Sequence, residues 1–240
     1  MTSQDNFEDR VRGIAALGEP MRRALYLYVA AQDRPVSRDE AAEGVSVPRH
    51  VAKFHLDKLE EDGLLEVEFA RPPGRSGPGA GRPSKLYRRG TRELQVSLPE
   101  RRYDLAGRLM ARAITDSAAI GISVDEALRR AATLAGHDLG DEAKQRAAEG
   151  HDSGAFLSTV SDILNEYGYE PRTSAGCITL ANCPFHALAQ DYTELVCGMN
   201  LELLRGMLES LDGTGFEARL DPAEDRCCVT ICRAGAAPAS

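Results

Sequence analysis

Apolar residues recur at helical spacing through the first third of the chain. Phe7, Val11, Ile14 and Leu17 fall three or four positions apart and predict one amphipathic helix. Pro20 suits the first turn of a second helix, which runs to about Ala31 with Met21, Leu25, Tyr28 and Val29 facing inward. Ser37-Arg-Asp-Glu40 has the pattern of a capping box and opens a short helix that ends near Gly44. A fourth helix starts around Pro48, buries Ala52, Leu56 and Leu59, and stops at Gly63. Leu64 to Ala70 then alternates weakly, as a strand does. Pro72 to Ser84 is a Pro/Gly/Arg loop, and Lys85-Leu-Tyr-Arg88 is a short return strand. Helices followed by a hairpin in this order predict a winged helix-turn-helix.

Arg101 to about Thr115 is amphipathic on Leu105, Leu109 and Ala113 and is placed to link two halves of the chain. Ser123-Val-Asp-Glu126 is a second capping box, opening a helix to Leu134. Residues 142–150 are charged and read as a solvated helix. Ala155 to Tyr167 is helical, with Phe156, Val160, Ile163 and Leu164 inside. Then the period changes. Tyr169–Arg172 and Gly176–Ala181 read as strands, 184–211 as helical, and Phe216–Leu220 and Cys228–Cys232 as strands again. The expected fold class is α+β. A winged helix-turn-helix domain occupies 1–92, a linking or dimerisation helix lies within 93–120, and a sensor domain with leading helices and a small ββαββ sheet occupies 121–240.

With 240 residues, 42% of them hydrophobic, the chain can build a core. No apolar run approaches the ~18–20 residues that span a bilayer, so no membrane partner is expected. The start, Met1-Thr-Ser-Gln-Asp, lacks a hydrophobic signal region, and a cytoplasmic location follows as an expectation. There, six cysteines are thiols, metal ligands or redox sensors more readily than structural disulfides. The net charge of −8 argues against nucleic acid until its distribution is read. Residues 1–92 carry 16 basic and 14 acidic side chains, and 71–92 carry seven basic and none acidic. Phosphate binding depends on where positive charge sits.

Arg49, His50, Lys53 and Asp57 lie opposite the Ala52/Leu56/Leu59 stripe. Base edges in the major groove offer acceptors to Arg and Lys, which makes Arg49 and Lys53 the first candidates for base contact, with His50 beside them. An ordinary solvated polar face is the plainer alternative. Arg71, Arg75, Arg82, Lys85 and Arg88 are placed to lie over phosphates or in a minor groove. Gly77-Pro-Gly-Ala-Gly81 superficially resembles a nucleotide-binding loop, but Pro83 and a β-like segment follow it where such a loop needs a helix. His55 reads as packed, and His137 and His151 as surface residues. Leu17-Gly-Glu-Pro-Met-Arg-Arg-Ala-Leu25, Ser46-Val-Pro-Arg-His-Val-Ala-Lys-Phe-His-Leu-Asp-Lys-Leu59 and Glu60-Glu-Asp-Gly-Leu-Leu65 together resemble ArsR/DeoR-type winged-helix regulators over roughly residues 7–92. That resemblance implies homodimers on inverted-repeat DNA operators, with the helix near 101–115 available for the dimer contact.

All six cysteines fall in the last 64 residues: Cys177, Cys183, Cys197, Cys227, Cys228 and Cys232. Cys183 precedes Pro184 at a helix start, where the helix N-terminal charge favours thiolate. Cys197 is 14 residues further on, about 21 Å along an unbroken helix. Shared ligation therefore predicts a break at Asp191-Tyr-Thr193, with Thr193 capping the second piece. Adjacent strand residues face opposite sides, so only one of Cys227 and Cys228 is expected at the site. Thiolates suit zinc and iron–sulfur clusters, yet these spacings are not those of a zinc finger. With the winged helix, Asn182-Cys-Pro-Phe-His186, Cys197 and the Cys227/Cys228 pair resemble SufR-like repressors of iron–sulfur assembly operons. The resemblance implies an iron–sulfur cluster, 4Fe–4S, on Cys183, Cys197 and Cys227 or Cys228; a fourth ligand is left open by it, and position in the chain offers His186, three residues after Cys183, or Cys177 on the preceding strand. Zinc, a thiol–disulfide switch and a small-molecule receptor stand as alternatives. No paired carboxylates, nucleophile–base set or phosphate loop points to an enzyme.

Overall fold

The computed structural model describes residues 3–70, 83–149, 155–174, 176–211, 215–223 and 225–235. The chain divides into two compact units, Met1–Val96 and Ser97–Ser240. Among the described residues, no helix is long and apolar enough to cross a membrane.

In the first unit, α1 (Ser3–Ala16), α2 (Pro20–Ala30), α3 (Arg38–Gly44) and α4 (Arg49–Glu61) surround a core of Leu25, Val29, Ala41, Ala52, Leu56, Leu59 and Tyr87. The predicted cap of α3 is present in full. Glu40 N–H donates to Ser37 Oγ at 3.2 Å, and Ser37 N–H donates to the Glu40 carboxylate at 2.7 Å. Left-handed backbone at Ser46 (φ 59°) turns the chain from α3 into α4. Gly63, at φ 72°, ends α4 and sends it into β2 (Leu65–Ala70). The hairpin partner β3 (Ser84–Arg89) pairs antiparallel with β2 and also with β1 (Val36–Ser37), giving the order β1-β3-β2. Helix α1 turns a different face inward from the one its periodicity suggested. Gly13 and Ala16 are buried, Leu94 packs over Gly13, and Val11 and Ile14 are exposed.

The second unit is α+β. Helix α5 (Tyr103–Ile120) gives Ala106, Leu109 and Ala113 to this unit's core. Helix α6 runs unbroken over Val124–Glu149 and packs along α9 (Thr193–Ser210). The sequence suggested a stop after Leu134. Instead, Gly136 and Gly140 continue the helix because α9's backbone lies against them: a Cβ at Gly136 would stand 2.0 Å from Leu203 O. α7 (Ala155–Glu166) buries Val160, Ile163 and Leu164, whereas the Phe156 side chain lies outside the described residues. The sheet joins β4 (Pro171–Ser174), β5 (Cys177–Leu180), β6 (Phe216–Leu220) and β7 (Val229–Arg233), all antiparallel, in the order β4-β5-β7-β6. Between the second and third of these strands lie α8 (His186–Asp191) and α9, which gives the expected ββαββ order.

Candidate functional site

The outer face of α4 is a short polar stripe. Arg49, His50, Lys53 and Phe54 are all exposed, opposite the fully buried Ala52, Leu56 and Leu59. Arg49 Nε pairs with Asp39 on α3 at 2.5 Å, which ties the start of α4 to its neighbour. His50, Lys53, Phe54, Asp57, Lys58 and Glu61 line a shallow open groove along the helix. His55 is packed as expected, with its ring nearly covered and Nδ1 3.5 Å from Glu19. His137 stands beside Glu209, 3.2 Å away.

Lys85, expected over phosphates, is engaged internally. Its ammonium donates to Asp57 at 2.8 Å and also to Glu60. Tyr87, buried beneath, donates its hydroxyl to the same Asp57 oxygen at 2.9 Å. Burial works to raise the Asp57 pKa, but the bonds from Lys85 and Tyr87 outweigh it and hold the carboxyl below its usual range. Burial works to lower Lys85, and its two carboxylate partners lift it above an ordinary lysine. Helix and wing strand are thus fastened by one network. Arg88 is exposed and bound to Glu66 at 2.8 Å. Arg71, Arg75 and Arg82 lie outside the described residues, as does His151.

The second unit gathers its four free thiols. Cys183 lies in the loop after β5, Cys197 in the early turns of α9, and Cys227 and Cys228 on the bend before β7. The predicted helix break exists. Tyr192 leaves helical geometry (φ −132°, ψ 54°) between α8 and α9, so Cys197 is not carried away along one rod. Thr193 does not cap, because its hydroxyl donates back to Ala189 O at 2.7 Å. Both Cys227 and Cys228 reach the centre. Strand β7 begins only at Val229, and the alternation rule does not govern residues on the preceding bend.

The thiols stand within side-chain reach of one another in a row, Cys183 beside Cys227, Cys227 beside Cys228 and Cys228 beside Cys197. Coupling to Cys227 and burial push Cys183 far above an ordinary thiol, the opposite direction from the thiolate expected at a helix start. For Cys227 the contact with Cys183 pulls down, but the contact with Cys228 and burial win, and the thiol is pushed up to about 11. The neighbouring Cys197 pushes Cys228 up to about 12. Cys197 is lowered by its neighbour Cys228 against the effect of burial. Beneath the row, Asn200 Nδ2 donates to Cys227 Sγ at 3.2 Å and its Oδ1 accepts from Tyr169 at 2.6 Å. Asn200, Tyr169 and Cys227 are each 1% exposed.

Cys177 is no ligand. Its position opposite Cys232 across β5 and β7 joins the two in a disulfide, Cα–Cα 4.1 Å, against the expectation of free thiols throughout. His186 sits on the first turn of α8 and is exposed, whereas the four free thiols are buried or half-buried. The Cys183 loop is held from another direction. Arg101 Nη1 donates to Asn182 Oδ1 at 2.5 Å and to Cys183 O at 2.9 Å. Asn182 Nδ2 donates to Glu100 O at 3.0 Å and to Gly168 O at 2.5 Å. Among the described residues, no group of three or more His, Cys, Asp or Glu side chains is arranged around a point as a metal ion requires. What the four share with a metal site is donor chemistry alone: soft sulfurs, each able to bind once its proton leaves.

No curated protein and no solved structure matches the chain. A family model described as a helix-turn-helix domain matches residues 17–68, the span from the end of α1 into β2. The first unit carries a helix-turn-helix domain, and this match supports a DNA-binding regulator.

Proposed function

We propose that the chain is a transcriptional regulator of the SufR-like kind. It binds an inverted-repeat DNA operator as a homodimer, and its affinity follows the state of Cys183, Cys197, Cys227 and Cys228. The group they hold is an iron–sulfur cluster, 4Fe–4S, which when bound supplies oxygen- and redox-labile chemistry. One observation carries the reading. Four sulfurs from three separate segments converge in the second unit of a chain whose first unit carries a helix-turn-helix domain.

The chain's own part is to present sulfurs and to give up their protons. Three of the four thiols are raised, so ligation releases protons and weakens as pH falls. Arg101 and Asn182 tie the Cys183 loop to residues 100–101, just past the boundary between the units. A change in that loop thus acts on the segment leading back to the helix-turn-helix. Operator affinity shifts only as far as the bound group favours one arrangement of the dimer over another.

The row of neighbouring thiols favours a second reading, a zinc site or a thiol–disulfide switch on the same four residues. Anaerobic purification separates the two. A brown protein with iron and acid-labile sulfide supports the cluster. A colourless protein with stoichiometric zinc, or a mapped disulfide among these four cysteines after oxidation, supports the second reading. For DNA, Arg49→Ala with Lys53→Ala should abolish sequence preference while general binding persists. Operator discrimination equal to that of the unaltered protein would refute the assignment of α4 as the reading helix.

A further inference from the structure

The exposed stripe of α4 contains one residue that cannot serve the polar chemistry around it. Phe54 is 65% exposed, in the second turn of the helix, flanked by His50 and Lys53 on the same face. A lone exposed aromatic is common on protein surfaces and means little by itself. Its place is what distinguishes this one. The far end of α4 is acidic, with Asp57, Glu60, Glu61 and Asp62, and its carboxylates are already taken by Lys58 and Lys85. Contact with DNA therefore falls on the first two turns, where Arg49, His50, Lys53 and Phe54 are the exposed side chains. The Phe54 ring also has a fixed neighbour: it meets His55 edge to face, centroids 5.2 Å apart, and His55 is itself held near Glu19. The ring is thus presented outward on a rigid helix.

A phenyl ring offers no hydrogen-bond donor or acceptor, so it cannot read the polar code of a base edge. The apolar mark on an unmodified base pair in the major groove is the C5-methyl of thymine. We propose that Phe54 packs against a thymine methyl and sets a preference for T at one position of each half-site. Arg49, Lys53 and His50 supply the polar contacts around it. The inference rests on α4 being the DNA-reading helix, and it names what part of that helix's specificity is apolar.

The test uses the full chain and a duplex selected from a random pool by its binding. Each dT in the selected site is replaced in turn by dU, which removes the methyl and nothing else. At one position per half-site, affinity should fall about fourfold, the worth of one buried methyl. Phe54→Ala should bind more weakly and lose that sensitivity, giving equal affinity for dT and dU. Phe54→Leu, still apolar, should keep part of it. Because Phe54 is exposed, these variants should keep the circular dichroism spectrum of the parent. Operator binding that is indifferent to every dT-to-dU replacement overturns the role of Phe54 while leaving DNA binding intact. Methyl sensitivity that survives in Phe54→Ala overturns it equally. Failure of the parent to bind any duplex in the pool sinks the DNA-binding reading, and this inference falls with it.

Discussion

Asn200 bridges a buried phenol and a buried sulfur, and replacing it measures how the thiol centre is built. Asn200→Leu keeps the branching and the number of heavy atoms, though it is bulkier, and removes both hydrogen bonds, to Tyr169 at 2.6 Å and to Cys227 at 3.2 Å. The phenol then has no partner in a site that is 1% exposed. An unsatisfied buried hydroxyl costs ~1–3 kcal/mol, and the lost N–H···S contact adds to it, so about 2–3 kcal/mol is expected. Tyr169→Phe alone strands the amide oxygen and should cost ~1–2 kcal/mol. In the double variant both polar partners are gone, and replacing both by apolar groups of similar shape is close to neutral. Its cost should therefore fall well below the sum, with a coupling of ~2 kcal/mol. Urea unfolding of the full chain, followed by circular dichroism in anaerobic buffer with a chelator, reads this directly. With a slope of ~2 kcal/mol/M, Asn200→Leu should lower the midpoint of the second unit by about 1 M. The first unit, untouched, is the internal reference. A double variant that loses as much as the two single variants together would refute the bridge.

Lys85→Ala should cost the first unit ~1–2 kcal/mol, because it strips charged partners from Asp57 and Glu60. It should leave the salt dependence of DNA binding unchanged, and a slope smaller by about 0.9 would mean that Lys85 contacts a phosphate after all. Gly206→Ala puts a Cβ 2.2 Å from Thr133 O and should cost at least about 2 kcal/mol, whereas Gly198→Ala, with open space around it, should gain ~0.5–1 kcal/mol. Equal thermal midpoints for these two variants would refute the close helix contact. Glu40 is held at about 2 by Arg34 first and by the Ser37 cap, below the ordinary 4.5. Its contribution is thus present above pH 4.5 and lost as pH falls through about 2. Because the carboxyl is 39% exposed, solvent screening reduces that contribution to ~1 kcal/mol. Glu40→Gln should lose less stability than the parent across this window, and superimposable pH profiles would contradict the pairing.

What the sequence discloses here is local, and what it hides is relational. The cap of α3 and the stop at Gly63 are each encoded within a few residues, and both stand where the pattern puts them; the break at Tyr192 is expected only from the need to bring Cys183 and Cys197 together, and the Thr193 cap offered for it does not form. The two-residue strand β1 is too short to alternate and exists only because β3 pairs with it. Cys177 and Cys232 are 55 residues apart, and their union follows from β5–β7 register, which no local pattern states. The carboxylates that occupy Lys85 come from α4, so a basic side chain counted toward the wing is spent inside the domain.

Gly136 and Gly140 show the same division most sharply. Read along the chain, two glycines within five residues weaken a helix and argue for a stop. Read across the interface, they are what lets α6 continue, because Leu203 O and Met207 O lie where their side chains would be. Gly206 answers from α9, with Thr133 O in the place of its missing Cβ. The close contact is made from both sides and fixes α9 against α6. It is α9 that carries both Cys197 and Asn200. The position of the thiol centre thus depends on glycines that a residue-by-residue reading counts only as a defect, and a methyl group added at Gly206 should disturb sulfurs it does not touch.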